Sequence, residues 1–226
     1  MASTLSSGIR SHILAHGQML HEAIDLLRPA PEHWHTTLLI ELATEGLANC
    51  MELIEGVDKT NLAKCGWAAR NLLELHYFSR YVATSPENAR RFYEDMICDQ
   101  QSLLKRFGTN PQYAQFVAIN QPVLDNLWQG ATEAQKGDPY LSTRDIAMSF
   151  GEEAPYGDAS KLFSKFVHPT SLSIQFRKAN GEFHQLVLWG IVETAARLFA
   201  ATVAGLSQHI KEYSKTVPPK NENTAH

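Results

Sequence analysis

The chain has 226 residues, 44% of them hydrophobic, and 20 basic against 24 acidic residues for a formal net charge of -4. That balance suits one compact domain with a sizeable core and excludes wholesale polyanion binding through a general positive field, leaving nucleic acid only a local patch. Cys50, Cys65 and Cys98 lack C-x-x-C spacing, and the N-terminus has neither a basic start nor an apolar run, so a reduced, cytoplasmic setting without export is expected.

In chain order, the first helix is expected from about Leu5 to Arg28, where Ile9, Ile13, Leu20, Ile24 and Leu27 recur at helical spacing before Pro29 and Pro31. A second runs from about Trp34 to Ile54, with Gly56 past its end, and a third from about Asn61 to Val82. Ser85 and Pro86 supply the cap and first turn of a fourth, which Gly108 ends. A fifth starts at Asn110-Pro111 and reaches about Trp128, and Pro122 should kink or split it.

Residues 130–157 read as a long connection, a lid or an interaction surface, with one short helix after the Ser142-Thr143 cap. A short helix follows from about Ala159 to Val167 and ends at His168-Pro169. Only Ser171 to Phe176 has any strand character. The last helix, about Phe183 to Tyr213, is apolar nearly all round and should be packed on most sides. Its Glu193 and Arg197 argue against a membrane span, since charges at a bilayer centre cost roughly 2.5 to 3.5 kcal/mol each on insertion scales. The expected fold is all-α, an irregular bundle of about six to seven helices, with residues 1–214 one domain and 215–226 a disordered tail.

The third helix carries the most chemistry. Cys65, Ala69, Leu72, Leu73 and His76 form an apolar stripe, and the other side holds Trp67, Arg70, Glu74, Tyr77, Phe78 and Tyr81. An Arg and a Glu at i,i+4 among aromatic rings form either a structural ion pair or a functional site, because pairing and partial burial serve both. Trp67, Tyr77 and Tyr81 could line a small-ligand pocket. On the later short helix, Lys161, Ser164, Lys165 and His168 share a face, and with Arg177 and Lys178 they outline a phosphate site or a solvated basic face.

No metal or cofactor is expected. Glu41, Glu45, Glu52 and Glu55 lie on a polar helix face without a Glu-x-x-His partner, and His12 and His16, at i,i+4, read as incidental. There is no phosphate-binding glycine loop, G-x-S-x-G or H-E-x-x-H.

Arg70-Asn71-Leu72-Leu73-Glu74-Leu75-His76 has the form R-N-x4-H and resembles the motif of the HEPN superfamily of helical nucleases and nucleotide-binding proteins. The resemblance implies metal-independent action on RNA, often from two protomers, with Arg70 stabilising phosphate charge and His76 moving protons. A wider pattern, Arg70-x-x-x-Glu74 followed by Phe-Ser-Lys-Phe-Val-His168-Pro and a long apolar helix, resembles an uncharacterised family of bacterial all-helical proteins. It covers roughly Leu62 to the end of the last helix and sets Arg70, Glu74 and His168 together. The resulting expectation is an RNA-cleaving or RNA-binding protein of toxin or phage-defence type, homodimeric, with Arg70, Glu74, His76 and His168 as the catalytic set and Lys161 and Lys165 as ligand contacts. In that set His168 or His76 is the general acid or base, and Arg70 and Lys165 stabilise the developing charge. The alternative is a noncatalytic interaction or ligand-binding module built on the same residues.

Overall fold

The computed structural model of the chain describes residues 2–27, 34–130, 141–168 and 181–215. Among these residues it is all-α, with no strand. Eight α-helices follow in order: α1 (Ala2–Leu27), α2 (Trp34–Asp58), α3 (Leu62–Thr84), α4 (Pro86–Phe107), α5 (Ala114–Gly130), α6 (Thr143–Ser149), α7 (Glu153–Val167) and α8 (Glu182–Ser214). A 3-10 turn, Pro111–Tyr113, precedes α5. The tail, the strand candidate and the Arg177-Lys178 pair lie outside the described residues.

Three helix starts follow from their caps. The side chains of Asn61, Ser85 and Ser142 accept from the backbone N–H of Lys64, Asn88 and Asp145, satisfying donors that the first turn leaves open. Other boundaries differ from expectation. α2 runs through Gly56 to Asp58, because this glycine serves a close approach rather than a terminus: a Cβ there would lie 2.8 Å from Cys65 Sγ. α5 contains Pro122 without being split; the proline is exposed, so the carbonyl it leaves unpaired lies on the wet side. α7 begins at Glu153 rather than Ala159, which shortens the expected connection.

α3 is the central helix and packs against α2, α4, α7 and α8. Its small residues Gly66, Ala68 and Ala69 are buried and let neighbours approach, while Leu72, Leu73 and Val82 fill the core. At Gly66 an added Cβ would lie 2.7 Å from Phe166 Cβ, so α7 crosses α3 almost backbone to backbone.

α8 is long and apolar enough to cross a membrane by length and composition. Here Ile191, Val192, Ala195, Phe199, Val203, Leu206 and Ile210 are buried in the main core. Its other face is open, with Leu186, Gly190, Glu193, Arg197 and Ala201 exposed, so it is packed on one side rather than most. α4 leaves the main core part-way along its length and forms a hairpin with α5, held by a separate small cluster of Ile97, Leu104 and Leu124 with Val117 against it.

A candidate site on the two sides of helix α3

Arg70 and Glu74 meet as the i,i+4 spacing predicts, with Arg70 Nε donating to Glu74 Oε1 at 2.8 Å. The guanidinium then reaches across to α7, where Nη1 donates to Ser160 Oγ at 2.6 Å and Ser164 Oγ at 2.9 Å. Ser164 passes its own hydroxyl proton to the Ser160 carbonyl, so its oxygen is free to accept. Arg70 is thus a clamp holding α7 to α3 beside the Gly66 crossing. His168 lies one turn beyond Ser164, about 6 Å along the axis, as the exposed C-cap of α7 with its N–H donating to the Ser164 carbonyl. Lys161 and Lys165 are exposed on α7.

The three aromatic candidates do not share a pocket. Trp67 is exposed, Tyr77 is buried, and ten residues of helix put them about 15 Å apart along the axis. Tyr77 instead donates from its hydroxyl to Glu152 Oε2 at 3.2 Å and packs edge-on against Tyr156. Burial and the Glu152 carboxylate push its hydroxyl up to about 12.

His76 faces away from the clamp. Six residues after Arg70 it lies about 120° around α3, where it meets α8 rather than α7. Its Nδ1 sits 3.2 Å from Thr202 Oγ1. Thr202 already donates its hydroxyl proton to the Leu198 carbonyl at 2.8 Å, so the histidine must be the donor in that pair. The neutral ring therefore carries its proton on Nδ1 and presents Nε2 as the basic nitrogen. Burial holds its pKa below the usual histidine value; Glu152 opposes this shift and Arg80 reinforces it.

His76 also lines a cavity of about 300 Å³ with Ser79, Arg80, Ala83, Thr202 and Gly205. Arg80, one turn after His76, donates from Nη1 to Glu152 Oε1 at 2.7 Å and stacks 4.0 Å over the Phe150 ring. A stacked, ion-paired guanidinium is fixed in direction, and its remaining N–H groups stay available to an anion. Arg80, Glu152 and Thr202 were not among the residues the sequence singled out. The i,i+4 spacing of His76 and Arg80 was the available signal; Glu152 and Thr202 join only through the tertiary fold.

The remaining acidic and histidine candidates make local contacts. Glu52 and Glu55 pair with Lys64 at 2.7 and 2.5 Å, and Glu55 also pairs with Lys59. His16 bonds the His12 carbonyl, and among the described residues no group of three or more His, Cys, Asp or Glu side chains could hold a metal. What the fold and these contacts define is an all-α bundle with a clamp on one side of its central helix and a His/Arg cleft on the other. No known protein family, curated protein or solved structure matches the chain.

Proposed function

We propose that the protein binds and cleaves RNA as the HEPN resemblance implies, but with Arg80 in the role expected of Arg70, which faces away from His76, and with the α3–α8 cleft receiving the phosphodiester. The observation that carries this reading is the cavity in which His76, poised as a neutral base, stands one helical turn from Arg80. In the reaction, His76 Nε2 takes the proton of a 2'-hydroxyl as its oxygen bonds to the adjacent phosphorus. The P–O5' bond breaks, the 5'-oxygen leaves with a proton from water, and a 2',3'-cyclic phosphate remains. Arg80 stabilises the charge that develops on the phosphoryl oxygens. Arg70 and Glu74 hold α7 in place in this scheme. His168, Lys161 and Lys165 on the exposed side of α7 steer the strand rather than act on it.

A second reading, retention of a small anionic ligand without turnover, is favoured by the size of the cleft. About 300 Å³ is at the lower limit of small-molecule sites and admits a nucleotide fragment rather than folded RNA. Both readings are tested by incubating the full chain with bulk RNA in chelator and resolving the products. Cleavage to cyclic phosphate ends that disappears in folded His76→Ala supports the enzyme. Binding of a mononucleotide that Arg80→Ala weakens, without cleavage, supports the ligand site. Wild-type protein inert toward both overturns the proposal.

A further inference from the structure

The hairpin of α4 and α5 presents a face that its own core does not use. On α4, Tyr93, Met96, Gln100 and Leu103 follow 3-4-3 spacing, and Tyr93, Met96 and Leu103 are 44%, 42% and 51% exposed. On α5, Phe116, Ile119 and Val123 follow the same 3-4 spacing and are 47%, 64% and 59% exposed. This is the a/d repeat of a helix-pairing seam, repeated on both helices.

The two stripes lie on one side of the hairpin. Each precedes by one residue the positions that form the internal seam: Met96 and Leu103 precede Ile97 and Leu104, and Phe116 and Val123 precede Val117 and Leu124. In antiparallel helices the same angular step of about 100° turns both stripes toward the same side. Accordingly Gln100, Leu103, Phe116 and Val123 line a common groove of about 270 Å³.

We propose that this face is the homodimerisation surface of the protein: two copies pack their α4–α5 hairpins face to face as a four-helix bundle, with α4 antiparallel to its partner about a two-fold axis near Gln100. Charge favours the antiparallel sense. The exposed Lys105 and Arg106 of the last turn lie far from their counterparts when α4 runs antiparallel about Gln100, whereas parallel pairing sets them side by side; Glu94 and Asp95 are buried in the main core and take no part.

α5 has Asp125 as its one ionisable residue, so its exposed stripe offers an apolar, nearly uncharged surface that suits an identical stripe. Size agrees as well. A face two helices wide and as long as α5, about 20 by 25 Å, contributes about 500 Å² in outline per copy, reaching the roughly 1,000 Å² of a specific interface before side-chain relief is counted. Gln100 at the centre of the seam is the kind of polar position that fixes register in paired helices. This inference is independent of the RNA reading.

The test is sedimentation equilibrium of the full chain from low to high micromolar concentration. The expected result is a mass of two chains for wild type and of one for Leu103→Glu and Ile119→Glu, with helicity by circular dichroism unchanged. In a Cys98→Ser background, Gln100→Cys should cross-link to a dimer under copper-phenanthroline oxidation. Tyr93→Cys should not, because antiparallel pairing separates the two copies of that residue. A wild-type monomer overturns the proposal and leaves the groove to a helix of another protein. A dimer that survives both glutamate variants overturns it too, as does efficient cross-linking through Tyr93→Cys.

Discussion

At Arg70 one guanidinium serves three side-chain acceptors, with the Ser160 carbonyl a fourth at 3.5 Å, and the consequence is an asymmetry between the two members of the ion pair. Glu74→Ala removes one acceptor and leaves Arg70 bound to Ser160 and Ser164. Arg70→Ala removes the bond to Glu74 and the cross-helix bonds to α7 at once. The pair is part-exposed, so a full buried-charge penalty does not apply. Glu74→Ala is expected to cost about 0.5 to 1 kcal/mol and Arg70→Ala about 2 to 3 kcal/mol by chemical denaturation. Equal costs would show that the serines contribute nothing.

A second residue-scale effect concerns His35 and His209, whose rings lie 5.7 Å apart, with Tyr213 edge-on to His35 at 5.0 Å. Burial lowers the pKa of His35, and His209 lowers it further; burial lowers that of His209 against an opposing pull from Glu212. Both rings are neutral in the fold and protonate more readily in the unfolded chain, near pH 6.5. Their neutral burial is therefore without penalty above about 6.5, and stability falls as the pH drops from there toward the lowered folded values. The melting temperature should decline between about pH 7 and about pH 5.5, less steeply in His35→Phe, His209→Phe. An unchanged slope in that variant would assign the acid sensitivity elsewhere.

At the scale of elements, glycines that look alike in sequence have opposite consequences. Gly66 and Gly190 both sit inside helices, where alanine is ordinarily better by about 1 kcal/mol. At Gly190 an added Cβ meets nothing within 4 Å, so Gly190→Ala should stabilise by about 0.5 to 1 kcal/mol. At Gly66 it meets Phe166 Cβ at 2.7 Å, and separating α3 from α7 should outweigh propensity, destabilising by about 1 to 3 kcal/mol. Thermal melts of the two variants should move in opposite directions; a stabilised Gly66→Ala would mean that α7 shifts freely.

This contrast also explains which elements were legible in the sequence. Helix starts capped by Asn61, Ser85 and Ser142 could be read because the signal is local. The start of α7 could not, since Glu152 makes no side-chain cap bond and Pro155 and Gly157 look like turn formers. Gly56 read as a terminus because close packing against Cys65 leaves no local mark. Likewise, Arg70 and Glu74 could be paired from their spacing, whereas Ser160, Ser164 and Thr202 became partners only through contacts distant in the chain.

At the scale of the whole molecule, the two apolar clusters among the described residues divide the chain unequally, and the division runs through a single helix. The first half of α4 belongs to the main core: Ala89 is buried there, Phe92 packs 5.0 Å from Phe78 of α3, and buried Asp95 accepts the Leu141 N–H at 3.0 Å. Beyond that point α4 rests on the small cluster of Ile97, Leu104 and Leu124 shared with α5. Three buried side chains at about 1.5 to 3 kcal/mol each stabilise little against the conformational entropy of some two dozen or more ordered residues. In a chain kept monomeric, as Leu103→Glu is designed to be, the outer half of α4 and all of α5 should therefore open together while the main core stays closed, and it is this monomer whose exchange is read. Native-state hydrogen exchange should show α3 and α8 exchanging by global unfolding. A step in protection should fall near Asp95, with residues 97–107 and 114–130 less protected by tenfold or more. Leu124→Ala should abolish most of the protection on the outer side of the step and leave α3 unchanged. Uniform protection along α4 would show that the hairpin and the main core are one cooperative unit.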